Sequence, residues 1–181
     1  MKTMKTCTAW AVLLCLCISM NVTKTVAQDK PVLSDAEVAS VAVVANQIDI
    51  AYAGIAKKKS KNADILQFAE TMTNDHTAVI NQAAALAKKL GVTPKDNDVS
   101  KKLLSDAEKT KKLLQSKSGK AFNKAYIDNE VAYHKAVIAA VETLLIPETE
   151  NAELKELLQN VLPALKTHLE HAEMVQKKIS M

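Results

Sequence analysis

Four stretches of this chain repeat apolar or small residues at alternating spacings of three and four. That period puts one continuous stripe along an α-helix and suits packing against other helices. The first stripe occupies positions 38, 41, 45, 48, 52 and 55. The second reads Ile65, Ala69, Met72, His76, Val79, Ala83, Leu86, Leu90, and the third Ile127, Val131, His134, Ile138, Val141, Leu145. The fourth reads Leu154, Leu158, Val161, Leu165, His168, Ala172, Val175, Ile179. The chain has only three glycines and four prolines, and they punctuate these stripes. Ser34 and Glu37 form a capping-box pattern at the start of the first helix. The second runs from about Asn62 to Leu90 and stops at Gly91 with Pro94 beyond it. The third begins after Gly119 and is expected to end before Pro147; the fourth runs from about Asn151 to Ile179, with Pro163 inside it as a kink or local break. The segment between the second and third exceeds the roughly two to eight residues of a simple helix connection. It carries its own amphipathic set, Leu103, Leu104, Ala107, Leu113 and Leu114, which predicts a crossover containing a short helix. The fold class expected is all-α: a four-helix bundle with one long, helix-bearing connection.

Three of the stripes place a histidine where the period calls for an apolar residue: His76, His134 and His168. Each lies near the middle of its helix. His168, the furthest off, is three residues past the midpoint of 151–179, about 4.5 Å at the helical rise. Near-central positions meet in one layer whichever way the helices run. Three neutral imidazoles in an apolar interior suit one divalent ion, with Zn, Cu, Fe, Mn or Ni as candidates. Glu130, four residues before His134 and on the same face, is the expected oxygen ligand. Asp75 is turned about 100° from His76 and reads as a rim group. His171 lies one turn beyond His168 and could chelate at the surface. The first helix is expected to bring Ala45 or Ile48 to the layer, with Gln47 and Asp49 flanking. The competing reading keeps the histidines as core hydrogen-bonding residues, satisfied by Tyr126, Tyr133, Glu130 or one another.

Residues 1–27 carry Lys2 and Lys5, an apolar run from Ala9 to Met20 and small residues before Gln28, the layout of a secretory signal peptide. Residues 28–33 read as a linker and 34–181 as the bundle domain, exported and most simply periplasmic. Cys7, Cys15 and Cys17 all lie in the leader, so the rest of the chain offers no thiolate ligand, disulfide or cysteine nucleophile. Losing the leader removes three lysines and no acid, taking the balance from +4 to +1. All 24 basic residues are lysine. Without guanidinium forks and with few aromatics, nucleic acid is not the expected partner. No glycine-rich phosphate loop, G-x-S-x-G or Glu-x-x-His pair occurs, which argues against an enzyme and against a di-iron carboxylate centre. No spanning segment is expected after the leader.

Three blocks carry a family resemblance: LQFAETMTNDHTAVINQAAALAKKLGV, SGKAFNKAYIDNEVAYHKAVIAAVET and LKELLQNVLPALKTHLEHAE. With D-H-T at 75–77 and L-P-x-L-x-x-H-L at 162–169, they resemble a bacterial family of unknown function, labelled as exported or outer-membrane proteins. The resemblance extends over residues 33–178 and implies a ferritin-like four-helix bundle. Its histidine positions fall on His76, His134 and His168. Three functions then compete: a bundle holding one divalent metal; a non-catalytic envelope bundle whose histidines are structural and whose surface meets an unidentified protein partner; and, last because no separate acid/base residue is identifiable, an enzyme with water on an open metal position.

Overall fold

The computed structural model describes residues 32–180. The leader and most of the linker lie outside the described residues. Six α-helical segments follow in order: α1 (Asp35–Lys59), α2 (Ala63–Leu90), α3 (Asp98–Ser116), α4 (Gly119–Ala140), α5 (Ile146–Glu148) and α6 (Ala152–Ser180). Among the described residues there is no strand.

The caps explain where the helices start and stop. The Glu37 carboxylate accepts from the Ser34 backbone N–H at 3.0 Å and from its hydroxyl at 2.7 Å, tying down the α1 entrance. Asn62 Oδ1 accepts from Ile65 N–H at the head of α2. Gly91, at φ 65°, closes the other end with its N–H on the Ala87 and Lys88 carbonyls. Lysines occupy the last turns of α1, α2 and α6, beside the carbonyl ends of their dipoles.

Cross-helix pairs fix the directions. His76 of α2 meets Asn46 and Asp49 of α1, and Lys57 pairs with Glu70, so α1 and α2 are antiparallel. Lys135–Glu173 and Lys166–Glu142 do the same for α4 and α6. Lys178–Asp64 and Lys89–Glu153 join α6 to α2. Ser60–Asn123 and Tyr133 to the Ala45 carbonyl join α1 to α4. Every neighbouring pair in the four-helix ring therefore runs antiparallel. Helix α3 is the crossover. Asn97, at its head, donates to the Glu37 carbonyl, and Gln115, near its end, accepts from Lys59, so it runs parallel to α1 along its outer side.

That placement makes α1 the central strut. Its length and composition match a membrane span, but half of its most apolar window is buried inside the bundle. The core falls into two clusters. One packs Tyr52, Phe68, Met72, Phe122 and Tyr126; the other, at the opposite end, packs Val38, Val41, Ile138, Leu145 and Leu158. Full burial of a side chain such as Phe68 stabilises by roughly 1.5–3 kcal/mol.

Three expectations about the helices are corrected. The third long helix does not end before Pro147. It continues through a π-helical turn, Val141–Leu145, into α5, which contains Pro147. The Ile146 N–H bonds to the Val141 carbonyl five residues back, and this wider turn accommodates the proline that an α-helical ladder would reject. Of the two readings of Pro163, the local break is overturned, because α6 is helical on both sides of it. The α2 stripe is fully buried only as far as His76; Val79, Ala83, Leu86 and Leu90 are half-exposed.

Candidate metal centre

The two core clusters meet at the histidine layer. His76 on α2, His134 on α4 and His168 on α6 are 4%, 1% and 5% exposed, so water does not solvate their polar atoms. Their ring centroids lie 5.9 Å (76–134), 5.3 Å (76–168) and 5.6 Å (134–168) apart. The antiparallel ring of helices thus brings three mid-helix residues to one level, and Pro163 does not displace His168 from it.

The hydrogen bonds around the layer determine which nitrogen of each ring faces inward. Asn46 donates through Nδ2 to the Ala42 carbonyl at 2.8 Å, which orients its Oδ1 toward His76. That oxygen lies 2.7 Å from His76 Nδ1 and can only accept, so Nδ1 carries the hydrogen and Nε2 a bare lone pair. His134 Nδ1 lies 2.9 Å from the Glu130 backbone carbonyl, which leaves its Nε2 bare by the same reasoning. His168 Nε2 lies 2.8 Å from Asp75 Oδ2, so here Nδ1 is the free atom. His76 Nε2, His134 Nε2 and His168 Nδ1 are all buried with no hydrogen-bond partner. The three residues offer ring nitrogens within 4.8 Å of one another. Donors in a tetrahedral zinc site lie about 3.3 Å apart, so small side-chain rotations would close the set on an ion. An acceptor on the far nitrogen of each ring is how metal-ligating imidazoles are held and tuned.

Asp49 completes the arrangement; the sequence pattern placed it only as a residue flanking the layer. The layer position on α1 is filled by this carboxylate rather than by Ala45 or Ile48. Asp49 is fully buried, with Oδ2 at 3.2 Å from His76 Nε2 and 3.5 Å from His134 Nε2. Neither of its oxygens has a hydrogen-bond partner. A buried carboxylate facing two imidazole lone pairs is repulsive without a cation between them. A proton on His76 Nε2 would satisfy one contact and leave His134 Nε2 and His168 Nδ1 bare. A divalent ion satisfies all the donors together.

Glu130, expected to join the histidines, belongs to one side of the layer. It groups with Asp49 and His134, and its Oε2 is 3.8 Å from His134 Nδ1. Burial, reinforced by the Asp49 charge, holds its carboxyl well above the usual carboxylate range. Burial also pulls the His134 and His168 imidazoles below their ordinary value, against the opposing pull of nearby Asp49 and, for His168, Asp75. The rings are thereby kept neutral, the form that ligates metal.

Asp75 is at the rim, with half its side chain exposed, and is also the hydrogen-bond partner of His168 across the α2–α6 interface. His171 packs edge-on against Phe68 at 5.2 Å, turned from the three-histidine group. Of the core partners considered for the imidazoles, Tyr133 donates to the Ala45 carbonyl, and the Tyr126 hydroxyl has no partner.

The family model for a domain of unknown function, DUF4142, matches residues 21–175. The chain belongs to this family. No curated protein and no solved structure matches it. The family assignment agrees with the resemblance read in the three sequence blocks and assigns no activity, so the chemistry of the layer is the guide to function.

Proposed function

We propose that this chain is an exported bundle that holds one divalent metal through His76 Nε2, His134 Nε2, His168 Nδ1 and an Asp49 oxygen. Glu130 is the adjoining carboxyl, available to lose its proton when the ion arrives. The observation that carries the reading is the triad of buried, partnerless ring nitrogens, each opposite a ring nitrogen fixed by an acceptor. Three imidazoles and one carboxylate make a borderline donor set that accepts Zn, Fe, Mn, Ni or Cu. The export half of the proposal is supported by the signal-like leader. We read the role as holding the ion, whether to buffer, carry or sense it, rather than turning over a substrate. The donor atoms are buried, and Asp75, the one acid of the layer open to solvent, is engaged by His168.

A second reading is favoured by the 3.2 Å contact between His76 and Asp49: a buried imidazolium–carboxylate pair that only ties the core together. Elemental analysis of the untagged protein, purified without chelator, separates the two. The metal reading predicts about one equivalent of metal, lost in His76→Ala, His134→Ala and His168→Ala. Metal-free protein that binds no added Zn, Cu, Mn, Ni or Fe supports the ion pair instead.

A further inference from the structure

Beyond the histidine layer, toward the α2–α3 connection, the bundle holds a partly open cavity of about 680 Å³. Its walls come from all four long helices, with Val79, Leu86, Val137, Val141, Leu158 and Val161 among the lining residues. The sequence accounts for the space. Ala42, Ala83, Ala87 and Ala140 also line it, and methyl groups leave volume that leucines at those positions would fill. The half-exposed second part of α2 is the same feature seen from outside. His76, His134 and His168 line it too, so its polar end holds buried ring nitrogens that no protein atom satisfies.

The dimensions and chemistry of the space select its occupant. Filled with liquid, it would hold about 20 waters at roughly 30 Å³ each, and a stable buried water needs two to four polar partners. The lining is mainly aliphatic, and its polar side chains, such as Asn46, Thr110 and Asn151, are too few to hold that many waters, so an apolar occupant is favoured. From His76 to Leu90 the lined length of α2 is about 21 Å, close to the extended length of a chain of about sixteen carbons. Such a chain occupies roughly 480 Å³ at one water-sized volume per methylene, within the space present. Exposed Ala84 and Ala164 line the cavity between α2 and α6 and give the chain a way in.

We infer that this cavity binds one unbranched alkyl chain of a single-chain amphiphile, of the fatty-acid class. The inference goes beyond the metal reading and stands independently of it. Native mass spectrometry of the purified protein with hexadecanoate, with metal measured on the same samples, tests it. The expected result is a one-to-one adduct on the monomer. Its affinity should fall tenfold or more in Ala83→Phe/Ala140→Phe and in Val161→Trp, with helix content unchanged. At least one of these variants must keep the native circular dichroism; if both unfold, Ala83→Leu with Ala140→Leu takes their place. No adduct on the wild type, or undiminished binding in the folded filled variants, overturns the inference. So does a dimer that excludes hexadecanoate, which would make a second copy the occupant. Metal without hexadecanoate removes the alkyl site alone; hexadecanoate without metal removes the metal reading alone.

Discussion

Asn46 is the residue through which α1 sets the chemistry of His76, and replacing it gives a quantitative test. Its amide is held by the Ala42 carbonyl and presents Oδ1 to His76 Nδ1 at 2.7 Å. Asn46→Leu keeps the approximate volume and removes the acceptor. The His76 ring then has no reason to keep its hydrogen on Nδ1, and moving it to Nε2 blocks the ligating lone pair and satisfies Asp49 instead. Loss of such a partner typically weakens metal affinity by about 10–100-fold, or about 1.4–2.7 kcal/mol. The cost to the metal-free fold is smaller, about 1 kcal/mol for one neutral hydrogen bond, because the Nε2 hydrogen finds Asp49. Asn46→Asp retains an acceptor and should stay within about tenfold of wild type. Competition against a chromophoric chelator gives the dissociation constants, and urea denaturation of the metal-free proteins gives the stabilities. An Asn46→Leu protein that binds metal as tightly as wild type would refute the claim that this hydrogen bond selects the ligating nitrogen.

Three other outcomes follow from the same geometry. Asp49→Asn removes the only charge facing His76 Nε2 and His134 Nε2, so metal affinity should drop more than about tenfold in the chelator competition, while the metal-free protein keeps its helix content by circular dichroism. His134 and His168 have folded values below the ordinary imidazole range, so as pH falls through about 6.5 the unfolded chain takes up protons that the fold refuses. Metal-free stability should therefore decline from about pH 6.5 down to those lowered values by at most about 2.7 kcal/mol per pH unit, and a flat urea midpoint across that window would contradict the burial argument. Phe68→Ala empties a fully buried site beside Tyr126, His134 and His171 and should cost about 3–5 kcal/mol in chemical denaturation; a loss below about 1 kcal/mol would show that the ring is not a core element.

The three histidines were legible in the sequence because each interrupts an apolar stripe at helical spacing on α2, α4 or α6, so a polar residue there stands out. Asp49 was not, because α1 obeys a different rule. With α3 packed along its outer side, α1 buries Ser40, Val44, Asp49 and Ala53 as well as Val38, Val41, Ile48 and Tyr52 of its stripe, and a residue 100° off the stripe is still inside. A signal was present all the same: Asn46, Gln47 and Asp49 interrupt an apolar run, and acids are almost never fully buried without a partner. The pattern of α2 alone turns Asp75 away from His76, and its partner, His168, comes from α6. The end of α4 was misplaced because Pro147 was read as a stop, and a π-turn cannot be inferred from the proline alone. The long connection and its helix were legible from length and leucine spacing, whereas the cavity was not, since alanine satisfies the helical period without filling the volume.

The central claim is that one ion sits between His76 Nε2, His134 Nε2, His168 Nδ1 and Asp49. Crystals of the metal-loaded protein, with anomalous diffraction collected at the edge of the bound element, test it most directly. The account predicts one strong peak about 2.0–2.2 Å from those three nitrogens and an Asp49 oxygen, with Asn46, the Glu130 carbonyl and Asp75 still on the far ring nitrogens. A peak elsewhere, ligation through the opposite ring nitrogens, or a layer closed by a His76–Asp49 hydrogen bond with no peak would contradict it.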